Sequence, residues 1–388
     1  MYLANEAVLI HLAHRKMERV RETPRPDYKA RIEALGFDFH DAYWTEEAAY
    51  VLTASEVEEL EKATRACYEM YCEAAEYIIS NRSFAELLIP EEMEEAIRAS
   101  WEEDELSLYG RFDFAIPSDG GAPKLLEFNA DTPTSLLEAA IIQWQWMQEV
   151  HPGKDQYNLI HENLVQSWRD IHATYGCGRY YFAGDPSVAE DASTLRYLLS
   201  TAQEAGLPTA EVSIRNVDFD ATHNFLLDPA GEEIDCLFKL YPWEWMFEEN
   251  AEACRSNCFF LEPLWKSLMS NKAMLPVLYR LFPESPYLLP AYRFPTRLGG
   301  NYCQKPVFSR EGGNVTLVRD GKVLESTTGI YGEGEYVYQA RVDMRSFEGY
   351  YPVIGSWIVG GEASGIGIRE TRSRITDNLS LFVPHYFI

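Results

Sequence analysis

The sequence predicts an α+β protein, and three observations predict it. The first half carries mostly helical patterning, helices and strands alternate through the middle, and the last third breaks into short strands separated by turns. The 388 residues are 46% hydrophobic, enough to bury a large core and, by length, to form two or three structural units. No internal repeat, low-complexity tract or long linker divides them, so the units are expected to interweave rather than follow one another.

In the first half, Ser55-x-x-Glu58 is a capping-box signal ahead of a long stretch bearing Val57, Leu60, Cys67 and Met70. Pro90 can open a second helix from Glu91 to Trp101. From Arg111 the period changes to two, with Arg111 and Asp113 on one side of a strand and Phe112 and Phe114 on the other. Ser118-Asp119-Gly120-Gly121 is turn chemistry, and Lys124 to Asn129 reads as the returning strand, with Glu127 and Asn129 on one face and Leu126 and Phe128 on the other. Ser135-x-x-Glu138 is a second capping-box signal, before a helix from Leu136 to Val150.

Between about residues 155 and 250 the order reads Leu159 to Thr174 helix, Tyr180 to Phe182 strand, Thr194 to Ala205 helix and Thr209 to Ile214 strand, a small α/β layer. After a helical Glu262 to Leu281, the segments Asn301 to Phe308, Val315 to Val318, Tyr336 to Val342, Val353 to Val359 and Gly365 to Glu370 predict an antiparallel sheet.

Composition excludes some functions. Thirty-four basic against sixty-one acidic residues leave a net charge of −27, which repels a phosphate backbone, so nucleic acid is not an expected partner; a cationic substrate such as a polyamine is compatible with it. Seven cysteines without C-x-x-C spacing point to a reducing compartment. No apolar run approaches the roughly 18 residues a membrane span needs, and the short apolar start is interrupted by His11 and His14 rather than patterned as a signal peptide. A soluble, cytoplasmic protein without a membrane partner is expected. The histidines lack H-x-x-x-H spacing, so no transition-metal site is assigned, and Trp144, Trp146 and Met147 sit where helical packing explains them.

If the hairpin pairs symmetrically about Gly120, Asp113 faces Glu127 and Arg111 faces Asn129. At about 5 Å and an effective dielectric of about 20, two carboxylates repel by roughly 3 kcal/mol, more than a cross-strand pair usually contributes. Protonation, Arg111 or a bound cation could each relieve this, and two carboxylates with an amide oxygen suit a magnesium ion that also takes substrate phosphates. A surface ion cluster is the plainer reading of the same residues. Ala130-Asp131-Thr132-Pro133-Thr134-Ser135 then runs into a helix N-terminus, a natural cradle for a carboxylate or acyl phosphate, or simply an ordinary cap.

Arg111-Phe112-Asp113-Phe114 followed by Leu126-Glu127-Phe128-Asn129-Ala130-Asp131 resembles the signature of glutathionylspermidine synthetases. Lys239-Leu240-Tyr241-Pro242-Trp243-Glu244-Trp245, Ser270-Asn271-Lys272, Lys305-Pro306-x-x-x-Arg310-x-Gly312-x-Asn314 and Gly365-Ile366-Gly367-Ile368-Arg369 occur in that family's order, from about residue 30 to the C-terminus. Within the family the chain most resembles the stand-alone acid–amine ligase branch, a resemblance that implies the chemistry and leaves the substrates undefined. The resemblance implies an ATP-grasp fold with a small α/β pre-ATP-grasp-like domain: residues 1–155 as a helical segment plus metal-binding hairpin, 156–260 as the α/β subdomain and 261–388 as the nucleotide-binding lobe. It implies a ligase that joins a small-molecule acid to an amine through an acyl phosphate, with ATP and magnesium, two ions in number, as cofactors. A catalytically silent ATP-binding homologue is the alternative, and a hydrolase with Asp113 and Glu127 as paired carboxylates would leave the later cations without a task.

By the same resemblance, Asp113, Glu127 and Asn129 hold metal, and Lys272, Lys305, Gly312, Gly313 and Gln339 surround ATP. Arg369 contacts ATP and, with Arg111, serves catalysis, because phosphoryl transfer asks mainly for positioning and cancellation of developing charge. Arg310 with its glycines resembles a mobile loop that closes over phosphates and keeps water from an acyl phosphate. Thr132, Thr134 and Ser135 occupy the acid side, where Ser135 replaces a family cysteine, and Glu190-Asp191 match an acidic pair for the amine; they are equally an ordinary placement of acids before a helix. A family lysine beyond the late arginine has no counterpart around Ile375-Thr376-Asp377-Asn378, so nucleotide contacts there are expected to differ.

Overall fold

The computed structural model describes residues 17–38, 43–185, 187–377 and 380–388; His11, His14 and Asn378 lie outside them. The organising element is a five-stranded antiparallel sheet in the order Leu381–Val383, Glu362–Thr371, Tyr351–Val359, Tyr109–Ala115, Lys124–Asn129. The early acidic hairpin and the late strands thus share one sheet. Tyr109–Ala115 is buried along its whole length because it has a strand on each side and side chains packed on each face. On one face Phe112 stacks on Phe128 at 3.8 Å, and Tyr71 of the long Ala54–Ser80 helix meets both rings edge-on.

That helix starts earlier than Ser55 and Glu58 suggest. Thr53 and Glu56 make the capping box instead, with the Glu56 N–H donating to Thr53 Oγ1 at 3.3 Å and the Thr53 N–H to Glu56 at 3.0 Å. The other oxygen of Glu56 accepts the Met17 N–H at 2.7 Å, a tie that Glu58 does not make. Beyond Pro90, a single 3₁₀ turn at Glu91–Met93 leads into the α-helix Glu94–Glu102.

The middle of the chain forms the expected α/β layer. Four parallel strands run in the order Phe259–Leu261, Cys236–Lys239, Tyr180–Gly184, Thr209–Ser213, with the helices Ile160–Tyr175 and Ala189–Glu204. The second helix begins five residues before the expected Thr194, so Glu190 and Asp191 lie in its first turn rather than ahead of it. A second five-stranded antiparallel sheet follows the order Ala291–Tyr292, Tyr336–Ala340, Tyr302–Pro306, Thr316–Arg319, Lys322–Ser326. The expected helix over Glu262 to Leu281 is two, Lys266–Ser270 and Met274–Leu281. Asn271 makes the break: its backbone is extended, its amide donates to the Leu87 carbonyl, and its oxygen accepts the Ala273 N–H at 2.8 Å. The break leaves Lys272 outside either helix, with its ammonium free to reach the hairpin.

Candidate active site

The hairpin has the symmetric register at its functional end, with Arg111 opposite Asn129, Phe112 opposite Phe128 and Asp113 opposite Glu127. Beyond Asp113 the ladder slips, and Phe114 pairs with Leu125 rather than Leu126. Leu126 is therefore the extra residue of a β-bulge. The expectation that Leu126 and Phe128 share the core face fails here: Leu125 is buried with Phe128, and Leu126 turns to a cavity. With its carbonyl out of the ladder, Leu126 accepts the Lys305 ammonium at 2.8 Å.

The repulsion between the two carboxylates is relieved by protein cations. Asp113 Oδ1 takes Arg111 Nε at 2.8 Å and Oδ2 takes Arg369 at 2.9 Å. Gly355, paired with Asp113 from the neighbouring strand, leaves room for Arg111, since a Cβ there would come within 2.8 Å of Arg111 Cδ. Lys272 lies 3.2 Å from Glu127. Burial works against ionisation of Glu127, but Lys272, Lys305 and Arg111 outweigh it and hold the carboxyl at about 2. Lys305 also donates to Gln339 Oε1 at 2.9 Å, and Gln339 passes its own amide hydrogen to the Leu125 carbonyl at 2.9 Å, so both ends of that side chain serve to seat Lys305 on the hairpin.

The loop after the hairpin forms a second wall. Arg111 donates to the Thr134 carbonyl at 2.6 Å, and Arg310 donates to Thr132 Oγ1 at 2.6 Å and to Glu244 at 2.7 Å, its guanidinium lying over Trp245. The capping box expected at Ser135 and Glu138 does not form. Ser135 takes a left-handed backbone at φ +69° and shares its hydroxyl with Tyr43 rather than offering it to an anion. Glu138 opens a π-helical turn, Glu138–Ile142, that precedes the helix Gln143–Val150. It is buried with Oε1 unpartnered, and burial together with Glu190 pushes its carboxyl up to about 8 against the pull of Arg111 and Arg369.

One cavity of about 600 Å³ collects these groups. Arg111, Asp113, Glu127 and Asn129 line it, as do Thr132 and Thr134. Lys272, Lys305 and Arg310 reach it from the second sheet and the segment before it, with Gly312, Gln339 and Arg369. Glu190 and Asp191 line it as well, and burial and then Glu190, Glu311 and Asp185 raise Asp191 to about 7. Ser135 and Gly313 are the expected site residues that do not line it. Ser135 is turned to Tyr43, and a Cβ on Gly313 would meet the Tyr331 ring. Gly312, at φ +66°, lies against the Thr376 carbonyl, where a Cβ would approach to 2.3 Å.

Sequence reasoning missed Tyr43, Arg215, Tyr331, Arg341 and Arg374, which also line the cavity. Only Arg374 carried a signal, as a cation five residues past Arg369; it donates to the Tyr351 hydroxyl at 2.9 Å and lies beside the segment where the family lysine is missing.

No group of three His, Cys, Asp or Glu side chains is gathered for a metal among the described residues. The donor set is two carboxylates and the Asn129 amide, whose buried nitrogen lacks a partner; turning the amide over puts its oxygen there. These hard oxygen donors fit a divalent cation such as magnesium that completes its shell from phosphates. The cations around them fit a triphosphate.

A family model described as glutathionylspermidine synthase pre-ATP-grasp matches residues 19–388. The chain belongs to the glutathionylspermidine synthase family. Within that family it is 36% identical to a Haemophilus influenzae protein assigned as an acid–amine ligase, over 96% of this chain and 100% of that one. It is 30% identical to trypanothione synthetase from Crithidia fasciculata over 80% of this chain and 52% of that one, and 26% identical to the bifunctional glutathionylspermidine synthetase/amidase of Escherichia coli, over 86% and 58%. The chain thus spans little more than half of these two longer relatives. In fold it is similar to a glutathione synthetase-like effector from Globodera pallida, with a TM-score of 0.58 at 9% identity, covering 87% and 89% of the two chains. As a family member it is an ATP-dependent ligase that forms a C–N bond. Among the described residues no helix is long and apolar enough to cross a membrane.

Proposed function

We propose that this glutathionylspermidine synthase family member joins a carboxylic acid to a primary amine through an acyl phosphate, on an ATP-grasp fold whose nucleotide-binding lobe is residues 261–388. The observation that carries the reading is the meeting of Asp113 and Glu127, in cross-strand register, with Lys272, Lys305 and Arg369 around one cavity.

In this reading a carboxylate oxygen of the acid attacks the γ-phosphorus of ATP and ADP leaves. The amine, having given its ammonium proton to solvent, then attacks the acyl carbon as the neutral base; phosphate leaves, and the nitrogen loses a second proton as the amide forms. Lys272 and Lys305 neutralise the phosphate chain, and Arg369, with Arg111 behind it, cancels charge that grows on the transferring group. Two magnesium ions, held by Asp113, Glu127 and Asn129, supply further charge neutralisation when bound. Arg310 and the turn at Gly312 cover the phosphates and exclude water. Thr132 and Thr134 face the acid, and Glu190 and Asp191 draw in the ammonium of the amine. Asp191, poised at about 7, is largely ionised only above neutrality, where an ammonium would also pull it down.

A peptide acid and a polyamine are the substrate classes that the relatives' names and the acidic wall support. The test is phosphate release from magnesium ATP against an array of small peptides crossed with polyamines. Release that needs both an acid and an amine, with an amide as product, is expected. ATP bound but never turned over by any pair would instead make this chain a silent homologue.

A further inference from the structure

Asp131 and Lys239 are 1% and 0% exposed at the side chain and 2.7 Å apart. A fully buried ion pair seldom earns its place by stability, because apolar side chains of the same volume do as well, so its geometry is the informative part. Asp131 spends one oxygen on Lys239, at the end of the Cys236–Lys239 strand, and the other on the Trp243 N–H at 3.0 Å, at the start of the helix Trp243–Asn250. Lys239 also donates to the Tyr241 carbonyl at 2.9 Å and lies over the Trp243 ring. The next residue of that helix, Glu244, holds Arg310, and Arg310 returns to Thr132, the neighbour of Asp131. The contacts close a circuit: acid loop to helix through Asp131, helix to lid through Glu244, lid back to acid loop through Thr132.

We infer that Asp131, Lys239 and Glu244 are positioning residues that give the lid arginine and the acid loop a single shared placement. Closing the lid and seating the acid are then one event. The inference rests on the ligase reading for its chemistry and on this circuit for its geometry. Its functional content is retention: with lid and loop in register, the acyl phosphate meets the amine, and out of register it meets water, which cleaves the same acyl C–O bond and releases phosphate without an amide.

Glu244→Ala removes a partly exposed side chain and keeps the buried pair, so the protein should fold. Hydrogen exchange on the full chain should show the amides of 131–135 and of 309–314 both at least about fivefold faster, with Tyr180–Gly184 and Tyr109–Ala115 unchanged. Loosening of 309–314 alone would overturn the inference. With magnesium ATP, glutathione and spermidine as probes, phosphate released per amide should rise at least about threefold over the wild type, whereas a merely structural role would lower both products in proportion and so overturn it. If the wild-type chain makes no amide from these probes, the substrate reading fails and the exchange result alone decides. The double variant Asp131→Leu with Lys239→Met, which leaves no unpaired buried charge, should give the same exchange signature; protection of both segments at wild-type levels counts against the circuit.

Discussion

At Asp113 two arginines from opposite ends of the chain meet one carboxylate, Arg111 two residues away and Arg369 at a separation of 256. Replacing it by asparagine keeps the shape and removes the charge. Asp113→Asn is expected to lower turnover by at least about a hundredfold, to demand more magnesium, and to retain a cooperative melt; ATP consumption at the wild-type rate would remove Asp113 from the mechanism. Glu138 offers a pH test with a definite sign. Its carboxyl keeps its proton up to about 8 in the folded chain but releases it in the ordinary carboxyl range when unfolded, so between those values the native state binds more protons and stability from this group falls as pH rises. Glu138→Gln removes that loss, and its Tm should exceed the wild type by several degrees more at pH 8 than at pH 5; parallel Tm curves would show Glu138 ionised throughout. Legibility differed by residue. The Asp113–Glu127 pairing followed from alternation and a turn, both local properties. Tyr43 and the Asp131–Lys239 pair had no local signal, because their partners lie 92 and 108 residues away.

Elements obey the same distinction between local and distant causes. The helix before Asn81 and the strand Tyr336–Ala340 were legible because periodicity survives whatever packs on them. Ser135-x-x-Glu138 failed because a tyrosine from elsewhere claimed the serine, and Ser55-x-x-Glu58 lost to Thr53 and Glu56 through the tie to Met17. The Arg310 loop was expected from its resemblance to the family motif that includes Lys305 rather than from its glycines alone, and its geometry makes it testable as an element. Gly312 combines a positive φ with the Thr376 carbonyl at its back. Gly312→Ala is expected to reduce ATP turnover by about ten- to a hundredfold with Tm nearly unchanged, since the loop is displaced while the core is not. Turnover equal to the wild type would show that the loop has no fixed closed placement.

Over the whole molecule, the broad α+β character and the α/β layer were legible, and the pairing of Tyr351–Val359 with Tyr109–Ala115 was not. Strand partners 238 to 250 residues apart leave no trace in either segment's pattern. The consequence is cooperative: the sheet that carries Asp113 needs chain from both ends to close. A fragment of residues 1–155 would expose the buried edge of Tyr109–Ala115, and it is expected to show no cooperative thermal transition by circular dichroism. A sharp melt of that fragment would mean the hairpin and its helices fold independently.

Leu126 invites a different experiment from any point substitution. Because it is supernumerary in its ladder, excising it would leave Leu125 and Phe128 facing inward and Glu127 still opposite Asp113. The shortened chain should fold, keep its acidic pair, and lose the Leu126 carbonyl that helps seat Lys305, with Gln339 as its remaining partner. A weaker hold on ATP in an otherwise intact protein would tie the placement of Lys305 to one surplus residue.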